Sequence, residues 1–178
     1  AEETGPRFGA KIKHSPPIRP KAESDLLWSH LAAGHCDFIS SDHVSWGLEK
    51  KGDPMIFKNT SGGPGIETLL PALRTGCEEH GLSPTIVVKQ LCEGPAKAFL
   101  LADKGRLEAG ADADITVLEP GRFIHDPSKS LSAVKWSSMD GREFRVRVAA
   151  TYVRGQLAWA GKAISNKAGD GRFLRPAA

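Results

Sequence analysis

Asp42 and His43 stand side by side at the end of a β-prone run, Cys36-Asp37-Phe38-Ile39-Ser40-Ser41. A carboxylate at the carboxyl end of a strand can ligate a hard or borderline cation, or take a proton from a water held there. A neighbouring imidazole can orient it. Parallel α/β folds keep their ligand sites beyond the strand carboxyl ends, so a site residue is expected at this place. The alternative is structural: Asp42 caps the following loop and His43 is a satisfied polar residue. Position alone leaves both open.

A second feature is the loop Thr60-Ser61-Gly62-Gly63-Pro64-Gly65, whose three glycines free the backbone for close approach to something. It lacks GxxxxGKS/T and GxGxxG, so a nucleotide reading is weak, and contact with a small polar substrate or a plain tight turn fits as well. No GxSxG elbow occurs, and Cys36, Cys77 and Cys92 have no histidine at a recognisable spacing. Nucleophilic serine or cysteine catalysis is therefore unsupported. His14, His30, His35, His80 and His125 are scattered without HxH or HExxH, and spacing assembles no complete metal site from them.

The elements that must position these residues follow from punctuation and period. Prolines 6, 16, 17 and 20 make residues 1–23 a long loop. Ser24 as a cap, Leu27 and Leu31 one turn apart, and Gly34 as a stop predict a helix over 24–33. A strand over 36–41 follows, then a long connection over 44–65, of a length that is usually functional. Ile66, Leu69, Leu70, Leu73 and Cys77 recur at helical spacing, with Pro71 in the first turn or at a kink and Gly81 as the end. Ser83-Pro84 caps a further helix carrying Val87, Val88 and Leu91, and Pro95 opens a short turn. Beyond Gly105 the period becomes two: Ile115 to Leu118 is a strand, Phe144 to Val148 alternates, and a hairpin turns at Arg154-Gly155. Phe144, Val146 and Val148 are expected to face a core, with Arg145 and Arg147 in water.

The chain of 178 residues is 40% hydrophobic and 25% charged, the composition of a globular protein large enough to bury a core. It holds no apolar run near the ~18 residues needed to cross a bilayer. Three cysteines, an odd number without CxxC spacing, support neither a disulfide framework nor a zinc knuckle, and suggest reduced thiols in a cytoplasmic setting. A net charge of +3 argues against a nucleic-acid partner, although residues 140–178 carry 8 Lys/Arg against 3 acids.

Five segments, read together, resemble the cyclic amidohydrolases, the group of dihydropyrimidinase (hydantoinase), allantoinase and dihydroorotase. They are Lys13-His-Ser-Pro-Pro-Ile-Arg19, Gly34-His-Cys-Asp-Phe-Ile-Ser-Ser-Asp-His43, Ser61-Gly-Gly-Pro-Gly-Ile-Glu-Thr68, Gly94-Pro-Ala-Lys97 and Lys104-Gly-Arg-Leu-Glu-Ala-Gly-Ala-Asp-Ala-Asp114. The resemblance covers essentially the whole chain but only the carboxyl-terminal part of the family's own. It implies an α/β fold: the last strands and helices of a metal-dependent TIM barrel over residues 1–104, and part of a small β-sandwich with a tail over 105–178. Within it Asp42 matches the aspartate that ends the eighth barrel strand, binds the metal and moves a proton from the attacking metal-bound hydroxide to the leaving nitrogen. Ser15 and Ser61, with Gly62, match positions whose backbone meets the cyclic amide, and His43 stands behind Asp42.

The implied cofactor is a binuclear zinc site, but the family's HxH, carboxylated lysine and two later histidines have no counterpart here. One carboxylate cannot hold two metals, so this chain alone should be inert. The expected partners are a small cyclic amide, an amino-terminal portion or second chain carrying the other ligands, and further copies in a homo-oligomer. Dihydroorotases continue the aspartate motif as DHAPH. This sequence reads Asp42-His-Val-Ser-Trp46, which favours a hydantoin, dihydropyrimidine or allantoin type of ring. The competing reading is a non-catalytic, amidohydrolase-like interaction or assembly module.

Overall fold

The computed structural model describes residues 7–177 and divides into two compact units. The first takes in residues up to His35, then Ser40–Leu69 and Ile124–Glu143; the second takes in Cys36–Ile39, Leu70–Phe123 and the chain from Phe144 onward.

In the first unit α1, Lys21–Ala32, begins after Pro20, which acts as its N-cap without a side-chain bond. The helix thus starts three residues earlier than expected, and Ser24 lies inside it rather than capping it. Pro20 sets an extended entry, and Lys21 and Asp25 form an i,i+4 ion pair across the first turn. Leu31 is buried, but Leu27 is mostly exposed, so half of the expected apolar face has no cover within the unit. Gly34, at φ +79°, ends the element as anticipated. The long connection contains two single 3-10 turns, Leu48–Lys50 and Ile56–Lys58, and is closed on itself by Asn59, which bonds the backbone of Asp53 in both directions at 2.7 and 3.1 Å.

The expected strand over 36–41 is not in a ladder. Among the described residues before 100, the pairing is limited to an isolated parallel bridge between His43 and Gly63. A parallel strand depends on neighbours distant in sequence, and among the described residues none pairs with 36–41. Ile66 also departs from expectation: it is exposed and lies outside the helix that follows.

α2 is Leu69–Glu79, with Pro71 in its first turn where the missing N–H costs nothing, and Leu73 and Cys77 buried. In the second unit α3, Thr85–Val88, continues through a π turn at Lys89–Glu93 into α4, Gly94–Ala98. The three-stranded sheet runs in the order β1 (Ile115–Ile124), β2 (Glu143–Val153), β3 (Gln156–Trp159). Pro120 is tolerated because β1 is an edge. β2 and β3 are antiparallel, and the hairpin turns at Arg154-Gly155, both at positive φ, as the sequence predicts. Phe144 and Val146 are buried. Arg147 is exposed, but Arg145 is not simply in water: its guanidinium bonds Glu78 Oε1 at 2.8 Å and its N–H bonds Thr75 Oγ1 at 3.0 Å, tying β2 to α2. The α/β expectation thus holds in part, as helices and one small sheet.

Candidate functional site

Three segments distant in sequence are drawn together within the first unit: residues 13–15, 41–46 and 60–66. Backbone bonds make the junctions. Gly62 N–H donates to Lys13 O at 3.1 Å, and Val44 N–H donates to Gly63 O at 3.0 Å. Gly62 is buried at φ +89°, where a Cβ would stand 2.9 Å from Val44 Cγ2, so only glycine fits this turn against residues 41–46. Two indoles complete the arrangement. Trp46 Nε1 donates to Ser61 O at 3.0 Å, and Trp136 Nε1 donates to Trp46 O at 2.7 Å. Gly63 lies close to the benzo edge of Trp136, so that a Cβ there would stand 2.9 Å from Cη2.

Asp42 is exposed and held at φ +45°, a left-handed conformation that costs most side chains free energy and that aspartate tolerates better than most. The bonds on either side, His43 N–H to Ser41 Oγ at 3.3 Å and Val44 N–H to Gly63 O, hold the backbone there.

His43 is used differently from the expected role behind Asp42. Its Nδ1 accepts from the N–H groups of Gly65 at 3.1 Å and Ile66 at 3.3 Å, so that nitrogen is unprotonated. Nε2 therefore carries the proton of the neutral ring and donates to Ser45 Oγ at 3.1 Å. The imidazole pins the glycine loop to residues 43–45.

His14, half-buried near Gly63, is pushed below its ordinary pKa by burial, then by the Lys51 cation, with the Asp42 carboxylate opposing. Ser15 is exposed and precedes a cis peptide bond to Pro16. The structure thus brings Ser61, Gly62 and His43 into one hydrogen-bonded frame beside Asp42, with Ser15 following the Lys13 carbonyl that anchors that frame.

Among the described residues no group of three or more His, Cys, Asp or Glu could hold a metal ion. Asp42 can supply one oxygen donor, and a zinc centre takes about four ligands, so the residues present do not fit a complete centre. The three thiols form no disulfide, and burial raises the pKa of Cys77, which makes it a poor nucleophile, while partial desolvation and then the neighbouring Glu93 carboxylate raise that of the exposed Cys92.

Reading the sequence missed Lys51 and Trp136 entirely. Their hydrogen-bond partners lie up to 38 and 90 residues away, and no local spacing marks such contacts.

The profile of the amidohydrolase family matches residues 18–158, and the chain belongs to that family. It is 35% identical over 178 residues to an allantoinase of Rubrobacter xylanophilus, covering 98% of this chain and 39% of that protein. It is 30% identical over 172 residues to a D-hydantoinase of Ralstonia pickettii, covering 94% and 38%. Among solved structures, L-hydantoinase (dihydropyrimidinase) from Arthrobacter aurescens superposes with a TM-score of 0.93 at 31% identity, covering 98% of this chain and 40% of that one. The chain therefore spans about two fifths of the length of these relatives. Among the described residues no helix is long and apolar enough to cross a membrane.

Proposed function

We propose that this chain is the Asp42-bearing portion of a metal-dependent hydrolase that opens a cyclic amide of the hydantoin, dihydropyrimidine or allantoin type. In this reading residues 1–104 are the carboxyl-terminal part of a TIM barrel, and residues 105–178 are a share of a β-sandwich. The carrying observation is Asp42 itself, a carboxylate fixed in a left-handed backbone beside a glycine loop that two other segments grip. The names of the allantoinase and hydantoinase relatives support the choice of ring.

Zinc is the expected metal, and its remaining ligands must come from residues outside this chain, whether the rest of one polypeptide or a partner subunit. A homo-oligomer in the cytoplasm completes the reading.

The chain's own chemistry is proton transfer. As water attacks the ring carbonyl carbon, an Asp42 carboxylate oxygen takes its proton. As the C–N bond breaks, the same oxygen returns the proton to the leaving nitrogen. In this reading the main chain at the exposed Ser15 and the half-buried Ser61 meets the planar amide, so serine in place of another polar residue at 61 matters little. His43 keeps the loop in register with Asp42.

The test is hydrolysis of hydantoin, dihydrouracil and allantoin by the complete metal-loaded protein, wild type against Asp42→Asn, with metal content measured in parallel. The variant keeps size but loses the basic oxygen, and kcat should fall by at least ~10²-fold. Wild-type rates with metals in place would shift the assignment to the interaction-module reading.

A further inference from the structure

Lys51 has no place in the chemistry above, yet among the described residues it is one of the few large side chains that are fully buried, at 0% exposure. Burying an ammonium is costly unless its donors are satisfied. Among the described residues no carboxylate pairs with it. Instead Nζ donates to the carbonyls of Lys13 and Thr60, each at 2.8 Å, and sits 5.8 Å from the centroid of the Trp136 ring. An ammonium has three donors, and these are directed to two carbonyls and an indole face.

The two carbonyls are not arbitrary. Lys13 O also accepts from Gly62 N–H at 3.1 Å, and Thr60 directly precedes Ser61. Thr60 N–H in turn bonds Lys50 O at 3.1 Å, and the Lys13 side chain reaches back to Asn59 O at 2.7 Å. One nitrogen therefore joins the backbone just ahead of His14-Ser15 to the backbone just ahead of Ser61-Gly62, the two stretches whose main chain faces the ring.

We propose that Lys51 is a positioning residue: its buried ammonium bridges the Lys13 and Thr60 carbonyls and so sets the spacing of the two backbone segments that grip the cyclic amide. This rests on the reading of residues 15 and 61 as amide-binding. Lysine suits the task because its donors radiate from a single atom at the end of a flexible stem, whereas arginine spreads its donors over a rigid plane. Losing the bridge should loosen substrate binding while leaving proton transfer at Asp42 intact.

The test compares the complete metal-loaded protein with its Lys51→Met variant, a near match in volume without charge. Amide hydrogen exchange of residues 12–15 and 60–65 should accelerate about tenfold or more, the size of a lost charge-assisted hydrogen bond, with the rest of the protein unchanged. KM for the preferred ring should rise by a similar factor while kcat stays within about threefold and metal content is unaltered. Unchanged exchange in the two segments overturns the proposal. So does acceleration spread evenly over the protein, or a loss confined to kcat. Should Lys51→Met fail to fold, Lys51→Arg carries the test: local acceleration with raised KM supports the bridge, and wild-type exchange and KM refute it. Exchange does not depend on turnover. Local loosening in a protein that hydrolyses no cyclic amide would therefore sink the functional reading and the proposed effect on substrate, while leaving the bridge as a structural brace.

Discussion

Gly63→Ala probes the packing that holds the glycine loop. Gly63 is buried, and its φ lies outside the left-handed region, so alanine meets no backbone penalty there. Space is the obstacle: an added Cβ would stand 2.9 Å from Trp136 Cη2, 3.4 Å from Cζ2 and 3.5 Å from His14 Cε1. Carbon atoms pack best at ~3.5–4.0 Å, so the first contact is well inside the repulsive wall. The indole cannot tip away freely, because its Nε1 is tied to Trp46 O at 2.7 Å and Lys51 covers its face. Nor can Gly63 retreat without stretching the 3.0 Å bond from Val44. Overpacking of this kind costs ~1–3 kcal/mol. Restricting the unfolded chain returns ~0.4–1 kcal/mol. The net destabilisation should be about 1–2 kcal/mol, which lowers Tm by roughly 2–8 °C for a chain of this size. Circular dichroism melts of Gly63→Ala and Gly171→Ala decide it, since a Cβ at Gly171 meets nothing within 4 Å. Equal Tm values for the two variants would refute the packing argument.

Further outcomes follow from other parts of the structure. Val146→Asp places a carboxylate at a site only 5% exposed and should cost several kcal/mol, whereas the exposed Arg147→Asp should cost far less; similar denaturant midpoints would show the facing of β2 to be wrong. Burial tends to raise the pKa of Asp114, but bonds from the Lys104 ammonium and the Arg154 N–H outweigh it and hold the carboxyl below its ordinary 3.8. A depressed folded pKa means that this stabilisation is complete above 3.8 and is lost as pH falls through the folded value. Melts between pH 7 and pH 2 should therefore decline on the acid side, with a shallower decline in Asp114→Asn, and parallel curves would remove Asp114 from the acid response. If the proposed function holds, Asp42→Asn in the complete protein should lower kcat by at least ~10²-fold without unfolding the chain, checked by kcat alongside a melt.

Local signals were legible in the sequence wherever the physics is local. Gly34 and Gly81 ended helices, Pro71 fell in a first turn, and Arg154-Gly155 turned a hairpin, because each depends on φ preferences or missing donors within a few residues. The position of Asp42, after a β-prone run and inside a recognisable motif, is read from the sequence, and its role at the site is the one proposed above. The sequence could not say that residues 36–41 form no ladder, since a parallel strand exists through neighbours far along the chain. It read Arg145 as a residue in water, because alternation reports which face a side chain takes and not the acid that waits there, Glu78. Above all it was silent on Lys51. A lysine in a polar loop is by default solvated, and only the folding of residues 13, 60 and 136 around its ammonium, each contributing a carbonyl or a ring face, makes burial favourable. The residue types of the site are thus written in short motifs, whereas the spacing between them depends on contacts between residues far apart in the chain, which only the tertiary structure brings together.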